Sequence, residues 1–167
     1  MILVLALALA PQNPQLLCGV CHSETVKEFL THAHSQNELS CDVCHGASVR
    51  HRASQGNAEP DRVAAPHEIP ALCAACHPGK ESVPIQAQYA ASKHGKLVLE
   101  QSKVRAAHCG TCHGVHSRRQ GKAMETQCRR CHASLPSSCS NKPVRAAPVA
   151  CAGCHSPHTL AAVAAAR

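Results

Sequence analysis

Cysteine and histidine recur in this chain as one pentapeptide, Cys-x-x-Cys-His. It stands at Cys18, Cys21 and His22; Cys41, Cys44 and His45; and Cys73, Cys76 and His77. It returns at Cys109, Cys112 and His113; Cys128, Cys131 and His132; and Cys151, Cys154 and His155. Only Cys139 of the 13 cysteines falls outside it. Two thiols separated by two residues, with an imidazole directly after, suit covalent attachment of c-type haem. The thiols add across the porphyrin vinyl groups as thioethers, and the imidazole becomes the proximal iron ligand. The expected cofactor complement is six covalently attached haem c.

Other uses of these cysteines fail on spacing. A structural zinc site also uses Cys-x-x-Cys pairs but has no need of histidine directly after the second cysteine. With 14 histidines in 167 residues, six such placements by chance have a probability on the order of one in a million. Disulfide partners separated by two residues are tight for an unstrained bridge. A thioredoxin-like redox site would show one motif in a βαβ setting, and none is visible.

Each iron needs a sixth ligand or must stay open. Eight histidines lie outside the motifs: His32, His34, His51, His67, His94, His108, His116 and His158. An isolated histidine is most simply a solvated or hydrogen-bonded side chain. Eight spare ones for six irons, several at repeated positions, favour ligation. His34, His51, His94, His116 and His158 are the expected distal ligands, with His67 as the sixth. His32 and His108 stand beside stronger candidates and suit contacts to ligands or propionates.

The elements that must position these residues are small. The chain has one Phe, one Tyr and no Trp, and much of its 44 % apolar content is alanine. The large side chains that usually fill a core are therefore missing, and the porphyrins are expected to form it. Stability should then depend on cofactor attachment, as in small metal domains. The spacing predicts a short helix over 23–34, with Ser23 as its N-cap and Glu24 in the first turn. A longer helical stretch over 85–107 is interrupted at Gly95, and 46–70 reads as a wrapping loop. The alanine-rich 160–167 suits one or two helical turns. No sheet of consequence is expected.

The motifs fall into three pairs. Residues 18–70, 71–120 and 121–158 form three expected dihaem modules, between a leader at 1–17 and a tail at 159–167. Two internal similarities support duplication. Phe29 and Tyr89 each precede a histidine, His34 and His94, by five residues. The second motif of each pair is followed by another histidine: His51, His116 or His158. Modules of this size stack on one another rather than fold alone.

Met1–Ala10 is apolar and ends in small residues, like the central region and cleavage end of a secretory signal. The positive region that should precede it is missing, so a truncated signal peptide is expected. The plainer alternative is an apolar segment kept in the mature protein. Ten residues are short of the about 20 a bilayer requires. The expected location is periplasmic or extracellular. The polypeptide carries +7, but six haems would add about twelve propionates. Lysines and arginines then balance propionates, and nucleic acid is not an expected partner, since stacking aromatics are also missing.

Several stretches carry a family resemblance. They are Ser92-Lys93-His94-Gly95, Cys41-Asp42-Val43-Cys44-His45-Gly46 with His51, and Cys109-Gly-Thr-Cys-His-Gly-Val-His116. Most specific is Asn141-Lys142-Pro143-Val144-Arg145 followed by Cys151-Ala-Gly-Cys-His-Ser-Pro-His158. The chain resembles, over residues 18–160, the multihaem c-type cytochromes that include periplasmic decahaem conduit subunits and their smaller relatives. The resemblance implies bis-histidine haems in a row and electron transfer in respiration. It also implies redox protein partners, an upstream quinol-linked cytochrome or a downstream reductase or conduit.

One departure stands out. The family typically has two histidines where this chain has Asn141-Lys142, so the haem of Cys128, Cys131 and His132 lacks its expected local ligand. His67 or His108 from another module, Lys142, Met124 or an open position are the alternatives, and a histidine from elsewhere is favoured. Cys139 is a ligand, an intermolecular partner or a free thiol. The expected fold is a mostly irregular, small-α, haem-cored multihaem cytochrome c with negligible sheet. The expected function is electron transfer without catalysis, with no catalytic residue assigned. A small nitrite, hydroxylamine or oxyanion reductase with one open haem, or a subunit of a haem filament, are the alternatives.

Overall fold

The computed structural model describes residues 14–79, 83–134, 151 and 154–162. Most of the first 17 residues, the segment 135–150 with Cys139, Asn141 and Lys142, and the end of the tail lie outside them. The chain divides into two compact units, Met1–Val63 and Ala64–Arg167.

The first unit holds five short helices: α1 (Pro14–Gly19), α2 (Ser23–Leu30), α3 (Ala33–Gln36), α4 (Cys41–His45) and α5 (Val49–Ala53). α1 packs on α2 and on α4, and α2 on α3. Gly19 lies against Val26, where a methyl group would stand at ordinary contact distance, 3.7 Å. The side-chain amide of Gln15 donates to the Leu39 carbonyl at 3.1 Å, tying α1 to the approach to α4. Among the described residues of this unit, Phe29 is the buried large apolar side chain.

The second unit holds α6 (Ile69–Ala74), α7 (Ile85–Ala91), α8 (Lys93–Leu99), α9 (Cys109–His113) and α10 (Lys122–Cys131). α6 packs on α7 and α9, α7 on α8, and α9 on α10. Tyr89 and Val98 are its buried large apolar side chains, with Pro70 and Ser92 also enclosed. The turn between α7 and α8 is tight enough that a methyl group at Gly95 would strike the Tyr89 carbonyl.

Short helices without sheet are what the described residues contain, apart from one isolated bridge between His155 and Ala162. Several boundaries differ from those expected. The helix predicted over 23–34 stops at Leu30 and restarts at Ala33, because His32 takes an extended conformation and its Nδ1 accepts the His34 N–H at 3.1 Å. Its N-cap is His22 and not Ser23, and no side chain caps it. The stretch over 85–107 breaks at Ser92 rather than Gly95. There the Ser92 hydroxyl accepts the Gly95 N–H at 2.9 Å, which starts a new helix. That helix ends at Leu99. The loop over 46–70 contains α5, and Leu160–Ala162 is not helical. α10, the longest helix among the described residues, has no counterpart in the expected elements.

Side chains alone leave the described residues with little core. Among the described residues the buried large apolar set is Phe29, Tyr89 and Val98, while Val20, Leu16, Val63 and Val104 are each more than 70 % exposed. A chain of this length ordinarily buries about two thirds of its surface around such side chains. No helix among the described residues is long and apolar enough to cross a membrane.

Candidate metal centres

Each of the first five motifs is a single helical turn, and the described ends of the last close the same hydrogen bond. The histidine N–H donates to the carbonyl of the first cysteine at 2.9 Å in the motifs ending at His22, His77, His132 and His155. The motifs of Cys41 and Cys109 are themselves the helices α4 and α9. Positions i, i+3 and i+4 share one helix face, so one turn presents both thiols and the imidazole together. Gly46 and Gly114 then reverse the chain at φ of 71° and 72°, a region open to glycine.

The twelve described cysteines are free thiols. The first of each motif, Cys18, Cys41, Cys73, Cys109, Cys128 and Cys151, is half-buried. Of the second, Cys21, Cys44, Cys76 and Cys131 are exposed, and Cys112 and Cys154 half-buried. First cysteines meet across motifs, Cys18 with Cys41, Cys73 with Cys109, and Cys128 with Cys151. Burial, and then the Cys18 thiol, push Cys41 up to about 11. The Cys109 thiol, donating to Cys73, pulls Cys73 down to about 7. Burial raises Cys112 and, with Cys151 beside it, Cys128.

The imidazoles also meet in pairs. Ring centroids stand 6.1 Å apart for His22 and His51, 5.9 Å for His94 and His132, and 6.3 Å for His113 and His158. In each pair one histidine ends a motif and the other was an expected distal ligand. An imidazole nitrogen about 2.0 Å from a metal, itself about 1.1 Å from its ring centre, puts two imidazoles on opposite sides of one ion about 6.2 Å apart. The three observed separations fit that span. They are too long for direct stacking at van der Waals contact.

Among the described residues, no group of three or more His, Cys, Asp or Glu side chains is placed to hold a metal ion. A structural zinc ion takes four protein ligands, whereas a haem iron takes two axial ones. The described residues bring imidazoles together in twos and not in fours. No family model, curated protein or solved structure matches the chain.

Hydrogen bonds decide which ring nitrogen is available. Nδ1 of His45 lies 3.1 Å from the Arg62 carbonyl, Nδ1 of His51 2.7 Å from that of Ala58, and Nδ1 of His155 3.0 Å from that of Leu160. A carbonyl only accepts, so Nδ1 carries the proton and the Nε2 lone pair is left for a metal. Burial, and then the facing imidazole, lower the pKa of His94 and of His113. The neutral, ligating form is thereby favoured.

His32 is buried and its Nδ1 already accepts the His34 N–H. A neutral imidazole has one acceptor nitrogen, so in this arrangement Nε2 is protonated and His32 caps α3 instead of ligating. The His34 ring lies 4.6 Å from that of His32. His116 is half-buried, His67 is exposed just before α6, and His77 is close enough to His113 to lower its pKa. Nδ1 of His108 is enclosed without a hydrogen-bond partner at the start of α9.

Three supporting residues escaped the sequence reading. Arg119 donates to the Gly110 and Thr111 carbonyls at 3.1 and 2.9 Å, covering carbonyls of α9. Asp61 and Ser48 clasp each other across the loop after His45. The glycine after His45, which lets Asp61 approach, was the one available signal for that clasp.

Proposed function

We propose that this chain is an exported six-haem c-type electron-transfer protein whose irons are held mainly by two imidazoles each. The observation that carries the reading is the set of three motif histidines, each facing a second imidazole at 5.9 to 6.3 Å. Haem iron between two imidazoles is six-coordinate and exchanges electrons rather than binding substrate.

The chain's own residues then have plain roles. Cys18 with Cys21, Cys41 with Cys44, Cys73 with Cys76, Cys109 with Cys112, Cys128 with Cys131 and Cys151 with Cys154 tether the porphyrins. His22, His45, His77, His113, His132 and His155 are the proximal ligands. His51 serves the iron of His22, His94 that of His132, and His158 that of His113. His34, His67 and His116 remain as the set for the irons of His45, His77 and His155. Backbone carbonyls at Ala58, Arg62 and Leu160 hold the Nδ1 protons and orient the rings.

His94 bears on the enzyme alternative. The haem of His132 was the one for which an open position stood as an alternative to a histidine from elsewhere, and the His94 imidazole lies 5.9 Å from that of His132. That favours a carrier over a nitrite, hydroxylamine or oxyanion reductase. Redox proteins on either side remain the expected partners, and export follows from where c-type haem is attached.

Expression of the full chain with a c-type haem attachment system tests the reading. Intact mass and a pyridine haemochrome assay should both give six haems per chain. Electron paramagnetic resonance of the oxidised protein should show low-spin signals only. A chain carrying zinc or no covalent haem overturns the proposal. A high-spin centre that turns over nitrite or hydroxylamine moves it to the reductase.

A further inference from the structure

The loop from Gly46 to Arg62 does two jobs at once. It carries His51, which faces His22, and its far end returns to His45. Its closure is specific. The Ser48 N–H donates to Oδ2 of Asp61 at 2.6 Å, and the Asp61 N–H donates to the Ser48 hydroxyl oxygen at 3.1 Å. That same hydroxyl donates to the His45 carbonyl at 3.0 Å. Ser48 is buried and holds a left-handed conformation, φ 46° and ψ 42°. A non-glycine residue takes that conformation only where its surroundings compensate the strain.

The clasp sits one residue from the carbonyl that orients His45. Asp61 is followed by Arg62, whose carbonyl receives the His45 Nδ1–H. At the inner end, Ser54 accepts the Ala58 N–H at 2.8 Å, and the Ala58 carbonyl receives the His51 Nδ1–H. Gly46 makes the approach possible, since a methyl group there would lie 2.9 Å from Asp61 Cβ.

We propose that Asp61 and Ser48 are positioning residues whose mutual hydrogen bonds hold the imidazoles of His45 and His51, and so tune two irons through one loop. The inference rests on reading those two histidines as iron ligands. Rotation of an axial imidazole, or loss of its Nδ1–H bond to a carbonyl, changes the electron density it gives the metal. Opening the clasp should therefore change two haems of the six and leave four as they were.

The test uses the full haem-loaded chain and the variants Asp61→Ala, Asp61→Asn, Ser48→Gly and, as a control in the same loop, Glu59→Gln. Haem content comes from intact mass, and axial geometry from the largest g value of each low-spin signal. Midpoint potentials come from a spectroelectrochemical titration. Asp61→Ala and Ser48→Gly should keep six haems and shift the signals and potentials of at most two. Asp61→Asn, whose amide oxygen still accepts the Ser48 N–H, should shift them less. Glu59→Gln should shift nothing.

Ser48→Gly keeps the test decisive if Asp61→Ala fails to mature, because glycine takes positive φ without strain. Unchanged signals in Ser48→Gly, a loss of yield or melting temperature without any spectral shift, or equal shifts in all six haems would overturn the clasp alone. A parent chain with no attached haem would overturn the ligand reading as well.

Discussion

The imidazole of His94, on α8, stands 5.9 Å from that of His132, at the end of α10, with the ring planes inclined by 46°. The two are 38 residues apart in sequence and belong to different Cys-x-x-Cys-His pairs. His158 reaches back in the opposite sense to His113, at 6.3 Å. Within the second unit, the expected second and third modules are thus cross-connected by two imidazole pairs. On the proposed reading, in which these pairs hold irons, the two modules should mature together.

Replacing His94 by alanine should convert one haem of six from low-spin to high-spin and let it bind cyanide or added imidazole. Five should stay low-spin. Absorption and electron paramagnetic resonance spectra read this directly, with His67→Ala as the comparison. A His94→Ala protein with six low-spin haems, or His67→Ala producing the open iron in its place, would show that another group ligates the His132 haem.

The same substitution at His51 probes the first unit. His51→Ala should open the iron of His22 and leave unchanged every signal altered by His94→Ala. Two distinct high-spin centres should then appear in the double variant, with spectra that add. Non-additive spectra would mean that the two histidines do not serve separate irons.

Tyr89 is the single tyrosine of the chain. Its ring is buried and its hydroxyl donates to the Ala107 carbonyl at 3.0 Å. Tyr89→Phe keeps the ring and loses the bond, which should reduce stability by about 1 kcal/mol. Burial, the largest cause, raises the phenol from 10.0, and in the free-thiol chain Cys109 and Cys112 add to it and bring it to about 12. The folded state therefore prefers the protonated form. That contribution is complete below the unfolded value near 10 and disappears as pH rises through about 12. The melting-temperature gap between parent and Tyr89→Phe should be largest at neutral pH and narrow on the alkaline side. A gap that ignores pH would remove the phenol as its cause.

Gly114 sits at φ 72°, and a methyl group there would drive into the Ser117 carbonyl. Gly114→Ala should destabilise the turn after His113 by about 1–3 kcal/mol. The yield of fully loaded protein should fall, with the deficit in the haem of Cys109 and Cys112 when peptides are mapped by mass. Gly121 also has positive φ, 49°, but nothing lies within 4 Å of a methyl group there. Gly121→Ala should therefore be the milder change, and the reverse order would remove the steric argument.

The local grouping of side chains was written in the linear order of residues, because two thiols and an imidazole at i, i+3 and i+4 fit inside one helical turn. The five-residue motif sets which side chains share a face wherever the turn forms, so the grouping of two thiols with one imidazole could be read at Cys18–His22 and its five repeats. The scarcity of aromatic residues likewise foretold small helices around few buried side chains, and Phe29, Tyr89 and Val98 are what the described residues bury. Helix ends were less legible. His32 and Ser92 cut helices through capping bonds to backbone N–H groups, a competition that helix periodicity does not report.

Distal partners were a different matter. Sequence could nominate His51, His94 and His158 but not say which motif each would face, since facing across about 6 Å depends on how helices far apart in the chain are packed. For His132 the sequence favoured a histidine from another module, naming His67 and His108, and the fold places His94 beside it; Lys142 lies outside the described residues. The Asp61–Ser48 clasp was equally invisible, because it joins residues 13 positions apart through one left-handed serine and one close approach at Gly46. Local geometry determined which side chains each motif groups together, and tertiary packing decided which histidine faces His22, His113 and His132.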